Sequence, residues 1–345
     1  MNVTIMPAGD LAPPELARWA ELQRASPLYR SPFFRPEFTL AVARVRDVRV
    51  AVIEDSGSVA GFLPFELGRA RQGRPVGWPF SDYHGVVLDG AATVDPRALV
   101  RASGLATWSF DHLPAAMAAF EPYVFGLGRS PYLDLSGGFE TYLAGRRARS
   151  DVRGALRKAR KLAREVGPLR FVPESDDRDL LAQTIDWKRR QYAETGVRDV
   201  LAETGGRDLL AHVHAVRGTD FAGVLSILHA GDVVAGLHLG LRSGHVWHSW
   251  FPVYNPELER YSPGLVLMLE LAAVAPALGI GEIDLGKGEA RYKQALATGT
   301  VPLHEGCVGA IPLAALPARL GVSARRALRA AGVHRAARRA LRRGG

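Results

Sequence analysis

The chain of 345 residues is 47% hydrophobic and 23% charged, which is the balance of a folded globular protein and excludes a disordered or fibrous one. It is longer than one hydrophobic core usually organises, so we expect two domains. Nine arginines and no acid lie between Arg319 and Gly345, and without them the net charge of +9 disappears, leaving 35 basic against 35 acidic residues. The body of the protein is therefore electrically balanced.

The N terminus has no basic start followed by an apolar run, so the sequence shows no secretory signal. The longest apolar segment is interrupted by Glu270 and Pro276 and is short for a membrane span. The single cysteine, Cys307, has no partner for an internal disulfide and is interpreted as a small buried hydrophobe. Together these features predict a cytoplasmic protein.

Two basic segments follow helical periodicity. At 151–166, Val152, Leu156 and Val166 belong to an apolar stripe that leaves the cations from Arg153 to Arg164 outward. That face suits a phosphate-rich partner such as tRNA, or is a solvated helix surface. Residues 317–345 form a predicted basic helical tail. The tail would contact nucleic acid or anionic lipid at the inner face of the membrane, or would dock on the domain with its arginines in solvent.

An internal echo predicts two copies of one unit. The segments beginning at Val50 and Val224 both read as strand, acidic-glycine turn, strand, and both contain Val-Ala-Gly, at 59–61 and at 234–236, 175 residues apart. We therefore predict an N-terminal domain at 1–150, a C-terminal domain at 151–316 and the tail at 317–345.

The second half alternates strands and helices. The patterns predict helices near 179–196 and 207–218, a hairpin from Gly223 to Phe251 turning at Ser243 and Gly244, a helix from Pro263 to about Leu278, and a strand at 282–285. This order indicates an α/β or α+β protein with a mixed sheet.

The start of the helix at Pro263 has the features of an anion site. Ser262 is a good N-cap, Pro263 suits the first helical position, and Gly264 lets a ligand approach the backbone closely. Free amides at a helix start favour a pyrophosphate. The plainer interpretation is an ordinary helix cap.

The order of hairpin, phosphate-type turn, helix and a strand ending in DLGKGEARYK resembles the GNAT-fold acyltransferases of the CelD-like type, which are related to the FemABX aminoacyltransferases. The matching residues are YSPGLVLMLELAAVAPALGIGEIDLGKGEARYKQ, with SPFFRPEF near the start and PYLDLSGGFETYLAGRRARSDVRGALRKARKLAREVG at the centre. The resemblance implies tandem GNAT-like domains with mixed central sheets flanked by helices, which also accounts for the echo.

The resemblance further implies an acyl-CoA donor, acetyl-CoA in the first instance, bound to the second domain. The strand from His245 to Phe251 would lie beside the thioester, and Lys287 would assist the pyrophosphate. The amides expected to receive the pyrophosphate are those of Arg260, Tyr261, Ser262, Pro263 and Gly264. The sequence departs from the usual arginine-or-glutamine, two spacers, glycine, spacer, small-residue pattern, because Pro263 stands three residues after Arg260 and glycine one later. An aminoacyl-tRNA donor therefore stays open.

Tyr292 lies where the helix after the fifth GNAT strand should begin, and the resemblance makes it the acid that protonates the leaving thiolate. Lys287 and Lys293 would neutralise developing negative charge. Asp284 would orient a lysine or the acceptor. The alternative interpretation of this segment is a glycine-bearing polar loop whose charges are solvated.

Further candidates come from position. His238 and His248, on the two arms of the hairpin, are candidate bases if the acceptor needs one, although single histidines on strands are more often structural. Candidate substrate contacts are Trp247 on the hairpin, Trp187, Lys188 and Tyr192 on the helix near 179–196, and Tyr83 in the first-domain turn SDYHG. The sequence contains no recognisable set of metal ligands, and we predict no metal.

The sequence thus predicts an acyltransferase that moves an acyl group from acyl-CoA to an amine or hydroxyl of a polysaccharide, sugar nucleotide or cell-envelope precursor. The first domain would shape the acceptor site. Two alternatives are a FemABX-like transferase that uses aminoacyl-tRNA and a non-catalytic scaffold of a polysaccharide-biosynthesis complex. The sequence leaves the acceptor, the acyl group and the oligomeric state open.

Overall fold

The computed structural model of the chain describes residues 2–146, 148–196, 198–202, 205–288 and 290–311. The predicted tail at 317–345 lies outside these residues. In chain order the elements are β1 (Asn2–Pro7), α1 (Pro13–Ala25), α2 (Pro36–Ala43), β2 (Val48–Asp55), β3 (Ser58–Leu67), β4 (Gln72–Arg74), β5 (Val87–Leu88), α3 (Pro96–Ala102), β6 (Thr107–Pro114), β7 (Val124–Asp134), α4 (Phe139–Arg146), α5 (Ser150–Glu165), β8 (Leu169–Ser175), α6 (Arg178–Thr195), α7 (Gly206–Ala215), β9 (Ala222–Ala230), β10 (Val233–Ser243), β11 (Val246–Tyr254), α8 (Pro263–Val274), β12 (Glu282–Asp284), α9 (Arg291–Leu296) and β13 (Gly299–Gly309).

The described strands form one mixed sheet with the same strand order in both halves. The sheet runs β1-β2-β3-β4-β6-β13-β7-β12-β11-β10-β9-β8, with β5 paired to β3. In the first half β1 to β4 are antiparallel neighbours and β4 is parallel to β6. In the second half β8 to β11 are antiparallel neighbours and β11 is parallel to β12. The shared Val-Ala-Gly lies near the start of β3 and of β10, so the tandem architecture is confirmed.

The two halves exchange their last strands. Strand β7 of the first half pairs with β12 of the second half, and β13 of the second half pairs with β6 and β7 of the first. The first half therefore supplies β7 as the neighbour of β12 in the second half, and the second half supplies β13, which lies between β6 and β7 of the first. The domain limits at 1–150 and 151–316 stay a prediction. The sheet of each domain contains a strand from the other half.

The strand exchange predicts that the halves do not fold separately. A fragment of residues 151–345 would keep β12 without its β7 partner and would carry β13 with no strand to pair with, and such unpaired edges favour aggregation. We expect this fragment to be insoluble or unfolded by circular dichroism, and to become soluble when co-expressed with residues 1–150. A fragment that folds alone with a cooperative thermal transition would contradict the prediction.

The second-half helices cover both faces of its sheet. Trp247 and Met268 are buried on the face covered by α8, while Leu239 and Trp250 join Phe33 of the first half in the core on the other face. The basic segment forms α5 as predicted, with Val152, Ala155 and Leu162 buried. Cys307 is buried, which confirms its interpretation as a hydrophobe.

Two predicted elements end differently in the structure. The predicted hairpin is a meander of three strands, β9 to β11, which turns at Gly244 as expected but continues to Tyr254. The predicted helix from Pro263 stops being α-helical at Val274 and finishes as a 3₁₀ turn to Leu278. Pro276 explains this change, because proline has no amide to donate inside a helix. In the described part of the chain, no helix is long and apolar enough to cross a membrane.

Candidate active site

A cleft opens where two parallel strands separate. Strand β11 pairs with β12 only from Val246 to His248, yet β11 continues to Tyr254. Beyond His248, the backbone groups on this edge of β11 therefore have no partner in β12. A cleft of about 640 Å³ occupies this place, between the starts of α8 and α9 and the side of α6. Backbone amides of an uncovered strand edge are available to hold a carbonyl oxygen.

One end of the cleft is formed by the start of α8. Ser262 and Gly264 line it, and Lys158 from α5 donates a hydrogen bond from Nζ to Ser262 Oγ at 2.7 Å. The first amides of a helix lack intrahelical partners, and together with a lysine they attract a phosphate group. A Cβ at Gly264 would lie 3.1 Å from the Tyr254 ring. Because glycine has no Cβ, the space between the helix start and this ring stays free for a ligand.

Ser262 does not cap the helix as predicted. Its backbone is left-handed, with φ of +52°, and its side chain makes no hydrogen bond to the helix amides. The residue ends the preceding 3₁₀ turn, Pro256–Tyr261, and this conformation leaves the hydroxyl to accept from Lys158. The hydroxyl consequently belongs to the surface of the cleft.

Tyr292 and Lys188 form the inner wall of the cleft. Burial raises the pKa of Tyr292 to about 12, and the negative charge of Asp82 adds to the effect. Burial lowers the pKa of Lys188 to about 8, and the charge of Lys293 lowers it further. The wall therefore presents a protonated phenol and an amine that is partly neutral at physiological pH.

The two predicted phosphate-neutralising lysines are directed away from the cleft. Lys293 Nζ donates to the carbonyls of Gly286 and Lys287 at 2.9 and 3.0 Å. Lys287 Nζ donates to the Asp111 carbonyl of the first half at 2.6 Å. Both ammonium groups thus fix the turn after β12, and neither lines the cleft.

A buried polar network lies behind this turn, at the junction of the two halves. His248 Nε2 is 2.8 Å from Asp82 Oδ2, and His248 Nδ1 is 3.4 Å from Asp284 Oδ1. Asp284 accepts hydrogen bonds from Tyr83 Oη at 2.5 Å, Ser130 Oγ at 2.6 Å and the Gly286 amide at 2.7 Å. Asp284 is therefore a fully bonded carboxylate that joins both halves to the turn.

The network continues into the first half through a second histidine. His112 lies 3.2 Å from Asp82 Oδ1 and 3.0 Å from Asp111 Oδ1. Burial lowers the pKa of His112, but hydrogen bonds to Asp111 and Asp82 outweigh it and raise the pKa to about 9. For the carboxyl of Asp82, burial alone would raise the pKa. The hydrogen bonds from His112 and His248 outweigh burial and bring the pKa of Asp82 well below its usual range. Asp82 is thus an anion held between two imidazoles.

Sequence reasoning did not identify Asp82, Asp111, His112 or His84 individually as site residues. Asp82 and His84 stand in SDYHG, which the sequence predicts as a polar turn that could reach the acceptor and from which Tyr83 alone is a candidate contact. Asp111 and His112 are adjacent on β6, and an acid next to a histidine on a strand was the available signal.

The two predicted candidate bases differ in their surroundings. His248 belongs to the network, whereas His238 is fully buried and shares a hydrogen bond of 3.1 Å with Ser249 Oγ. Burial lowers the pKa of His238 to about 3, and the nearby His248 contributes. His238 is therefore neutral and lies apart from the cleft lining.

Six other predicted residues also lie outside the lining of this cleft: Trp187, Tyr192, Trp247, Arg260, Tyr261 and Pro263. Trp247 is fully buried in the core, and Trp187 packs against the apolar cluster of Leu237 and Val253. Tyr261 is buried and donates to Glu165 at 2.9 Å, while Arg260 donates to Tyr261 Oη at 2.6 Å. The pyrophosphate end of the cleft is accordingly formed by Ser262 and Gly264.

A second cleft of about 410 Å³ reaches the network from another side. Tyr83 and Asp284 form its inner end, and Arg30 and Glu282, 2.9 Å apart, form an ion pair in its wall. Residues of both halves line it, including Leu28 and Pro114 of the first and Val301 of the second. The predicted substrate residue Tyr83 thus faces this cleft.

Among the described residues, His84, Asp111 and His112 form one group whose ligand-type atoms lie within 4.8 Å of one another. His84 Nε2 already accepts from the amides of Asp111 and His112, at 2.9 and 3.1 Å. Lys287 places its ammonium beside the same group. These contacts fit an ion-pair network better than a metal site.

Comparison with known proteins agrees with this geometry. Residues 150–294 match the family model described as an acetyltransferase (GNAT) domain. FemX superimposes with a TM-score of 0.57 at 10% identity, over 89% of this chain and 97% of its own. The C-terminal (DUF2156) domain of a protein assigned as a lysylphosphatidylglycerol synthetase from Agrobacterium fabrum gives 0.55 at 13% identity, over 88% and 95%. A conserved protein of unknown function from Bacteroides thetaiotaomicron VPI-5482 gives 0.57 at 13%, over 87% and 98%. No curated protein matches the sequence.

The second half therefore has the GNAT fold, and the chain repeats that fold in tandem. Four antiparallel strands followed by a parallel fifth strand, with a cleft at the separation of the fourth and fifth, define the class. Residues 150–294 thus match the acetyltransferase (GNAT) domain family, and the chain as a whole has the tandem form of this fold.

Proposed function

We propose that the protein transfers an acyl group, acetyl in the first instance, from acyl-CoA to an amine or hydroxyl of a polysaccharide, sugar nucleotide or cell-envelope precursor, as the CelD-like resemblance implies. The observation that carries the proposal is the cleft beside the uncovered edge of β11. It has a phosphate-attracting end at Ser262, Gly264 and Lys158 and a protonated phenol, Tyr292, at its inner wall.

The proposed reaction is direct attack of the acceptor on the thioester in a ternary complex. Amides along β11 hold the carbonyl oxygen as it becomes negative. Tyr292 stays protonated at physiological pH and donates a hydrogen bond to the departing sulfur. A neutral amine needs no base to attack. For a hydroxyl acceptor the candidate base is His248, which is fully buried beside Asp82. The hydroxyl proton would reach it through Asp284, which lines the second cleft and lies 3.4 Å from His248 Nδ1.

The second cleft supports a role for the first half in acceptor binding. Its walls come from both halves, and its inner end is Asp284, whose carboxylate accepts from the Gly286 amide in the turn before α9. We place the acceptor there. Peripheral contact with the inner face of the membrane through the basic tail, and a cytoplasmic location, belong to the same proposal.

Acetyl-CoA binding tests the donor part of the proposal. We expect saturable binding by calorimetric titration, weakened about tenfold in Lys158→Ala, because a hydrogen-bonded charge beside the helix start is removed. Lys161→Ala is the matched control on the same helix, since Lys161 faces Glu165 at 4.0 Å and lies outside the cleft lining. Tyr292→Phe should bind acetyl-CoA normally and lose turnover by about a hundredfold. Absence of binding to the natural protein would exclude acetyl-CoA as the donor.

The exposed face of α5 supports a second candidate, a transferase that uses aminoacyl-tRNA. Arg153, Arg157 and Arg160 line a broad groove of about 1120 Å³ beside this helix. A tRNA donor bound there would lose affinity steeply as salt rises. Charged tRNA that binds with such a dependence, while acetyl-CoA does not bind, would favour this candidate. A scaffold without chemistry would bind neither and would tolerate Tyr292→Phe.

A further inference from the structure

Lys188 differs from the other lysines of the protein in its surroundings. The sequence contains five lysines, Lys158, Lys161, Lys188, Lys287 and Lys293. Lys161 faces a carboxylate of Glu165 at 4.0 Å, Lys158 donates to Ser262, and Lys287 and Lys293 donate to backbone carbonyls. Lys188 instead donates to the side-chain amide of Gln191 at 2.9 Å and lies 5.3 Å from the centre of the Tyr192 ring.

The position of Lys188 places its amine inside the donor cleft. It projects from the middle of α6 into the lining of the cleft, to which Tyr292 and the start of α8 also contribute. Within the described residues, no carboxylate lies within ion-pair distance of its Nζ. Among the residues that the structure describes, two carboxylates line the cleft: Asp151 is paired with Arg291 at 2.8 Å, and Glu259 lies on the turn before α8.

These surroundings favour the neutral form of the amine. Burial lowers the pKa of Lys188 to about 8, and the charge of Lys293 contributes. At pH 7.5 roughly a quarter of such amines are neutral, against about one in a thousand for an exposed lysine. Only the neutral amine is a nucleophile, and here it lies in the lining of the cleft in which we place the acyl donor.

We propose that Lys188 is an acylation site, modified by the acyl donor that occupies its own cleft. The inference rests on the proposed function, because it requires acyl-CoA in this cleft. The Nζ lone pair attacks the thioester carbonyl carbon, the carbon–nitrogen bond forms, and the carbon–sulfur bond breaks. The coenzyme leaves as a thiolate, and the proton released by Nζ goes to that sulfur, so that the products are an amide and a free thiol.

The modification would limit itself. An amide at Lys188 is stable and uncharged, so it does not pass its acyl group onward, and it fills part of the wall where the next donor would lie. One acyl group per chain would then mark a molecule that has bound donor without an acceptor. Removing the amine also removes the repulsion with Lys293.

Mass spectrometry of the full-length protein incubated with acetyl-CoA tests this inference. We expect one acetyl group per chain, located on Lys188 by peptide analysis, and a rate at least tenfold above that of Lys161, whose side chain is 51% exposed. The rate at Lys188 should rise with pH and level off above about 8, because its neutral fraction does. Lys188→Arg should stay unmodified, and Lys161→Arg should be modified as fast as the natural protein. In 6 M urea, a concentration expected on the order of full unfolding, the preference for Lys188 should vanish.

Calorimetry on the same samples separates the two hypotheses. Acetyl-CoA that binds while Lys188 remains unmodified, or reacts no faster than Lys161, overturns the acylation site and leaves the proposed function intact. Acetyl-CoA that does not bind overturns both. Modification that persists equally in the Lys158→Ala variant at subsaturating acetyl-CoA would also overturn the inference, because it would not depend on donor bound in the cleft.

Discussion

Gly286→Ala is expected to lower the free energy of unfolding by about 3 kcal/mol. A left-handed alanine costs about 1–2 kcal/mol, and Gly286 has φ of +73°. A Cβ there would also lie 2.5 Å from Asp82 Oδ2, which is within 2.8 Å of His248 Nε2. The carboxylate would have to move away from its imidazole partners, and the loss of ion pairs by this partly buried group accounts for the remainder.

Gly244→Ala is the matched control for this change. Gly244 also has a left-handed backbone, with φ of +52°, but no atom lies within 4 Å of the position of its Cβ. Gly244→Ala should lower the free energy of unfolding only by the cost of a left-handed alanine backbone, about 1 kcal/mol. Urea unfolding of both variants measures the difference. Equal losses would show that the approach of Gly286 to Asp82 has no energetic consequence.

Stability is expected to fall by about 3 kcal/mol between pH 6.5 and pH 5. Burial lowers the pKa of both His84 and His238 to about 3, whereas unfolded histidine has a pKa of about 6.5. Between these values the unfolded chain binds more protons than the folded chain, so acidification favours unfolding by up to about 1.4 kcal/mol per pH unit for each histidine.

On the alkaline side, His112 makes the free energy of unfolding fall as the pH rises. Its pKa is raised to about 9 in the folded protein, so its contribution is complete below pH 6.5 and is lost as the pH rises through 9. Maximum stability is therefore expected near pH 6.5. Unfolding in urea at a series of pH values measures the profile.

His238→Gln tests the assignment of the acid slope. Glutamine can keep a hydrogen bond to Ser249 and does not titrate, so the slope between pH 6.5 and pH 5 should decrease by roughly 1 kcal/mol per pH unit. A profile identical to that of the natural protein would show that His238 is not buried in its neutral form.

Local patterns predicted the second half well. Helical and strand periodicities located α6, α7 and β12. The family resemblance, not periodicity, placed Tyr292 at the start of the helix after β12, and in the structure it lies on α9 and lines the cleft. Pro263 and Gly264 marked the start of α8, because the conformational limits of proline and glycine act within one or two residues. Signals of this range are readable from sequence.

The network at the junction of the halves could not be predicted in the same way. Asp82 and His248 are 166 residues apart in sequence, and Asp284 meets Tyr83 across 201 residues. No periodicity connects such positions, and only the strand order brings them together. The roles predicted for Lys287 and Lys293 illustrate the same limit, because a basic residue near a phosphate-type turn has several possible partners and the backbone carbonyls were nearer.

The position of β13 also determines when the first half can be completed during synthesis. Strands β6 and β7 end by Asp134, but the strand that lies between them ends at Gly309. At ribosomal rates of about 5–20 residues per second, the intervening 175 residues take roughly 10–35 s to emerge. During that time the nascent first half exposes two strand edges, so a holdase chaperone at the ribosome exit would act on this segment before the rest of the chain arrives.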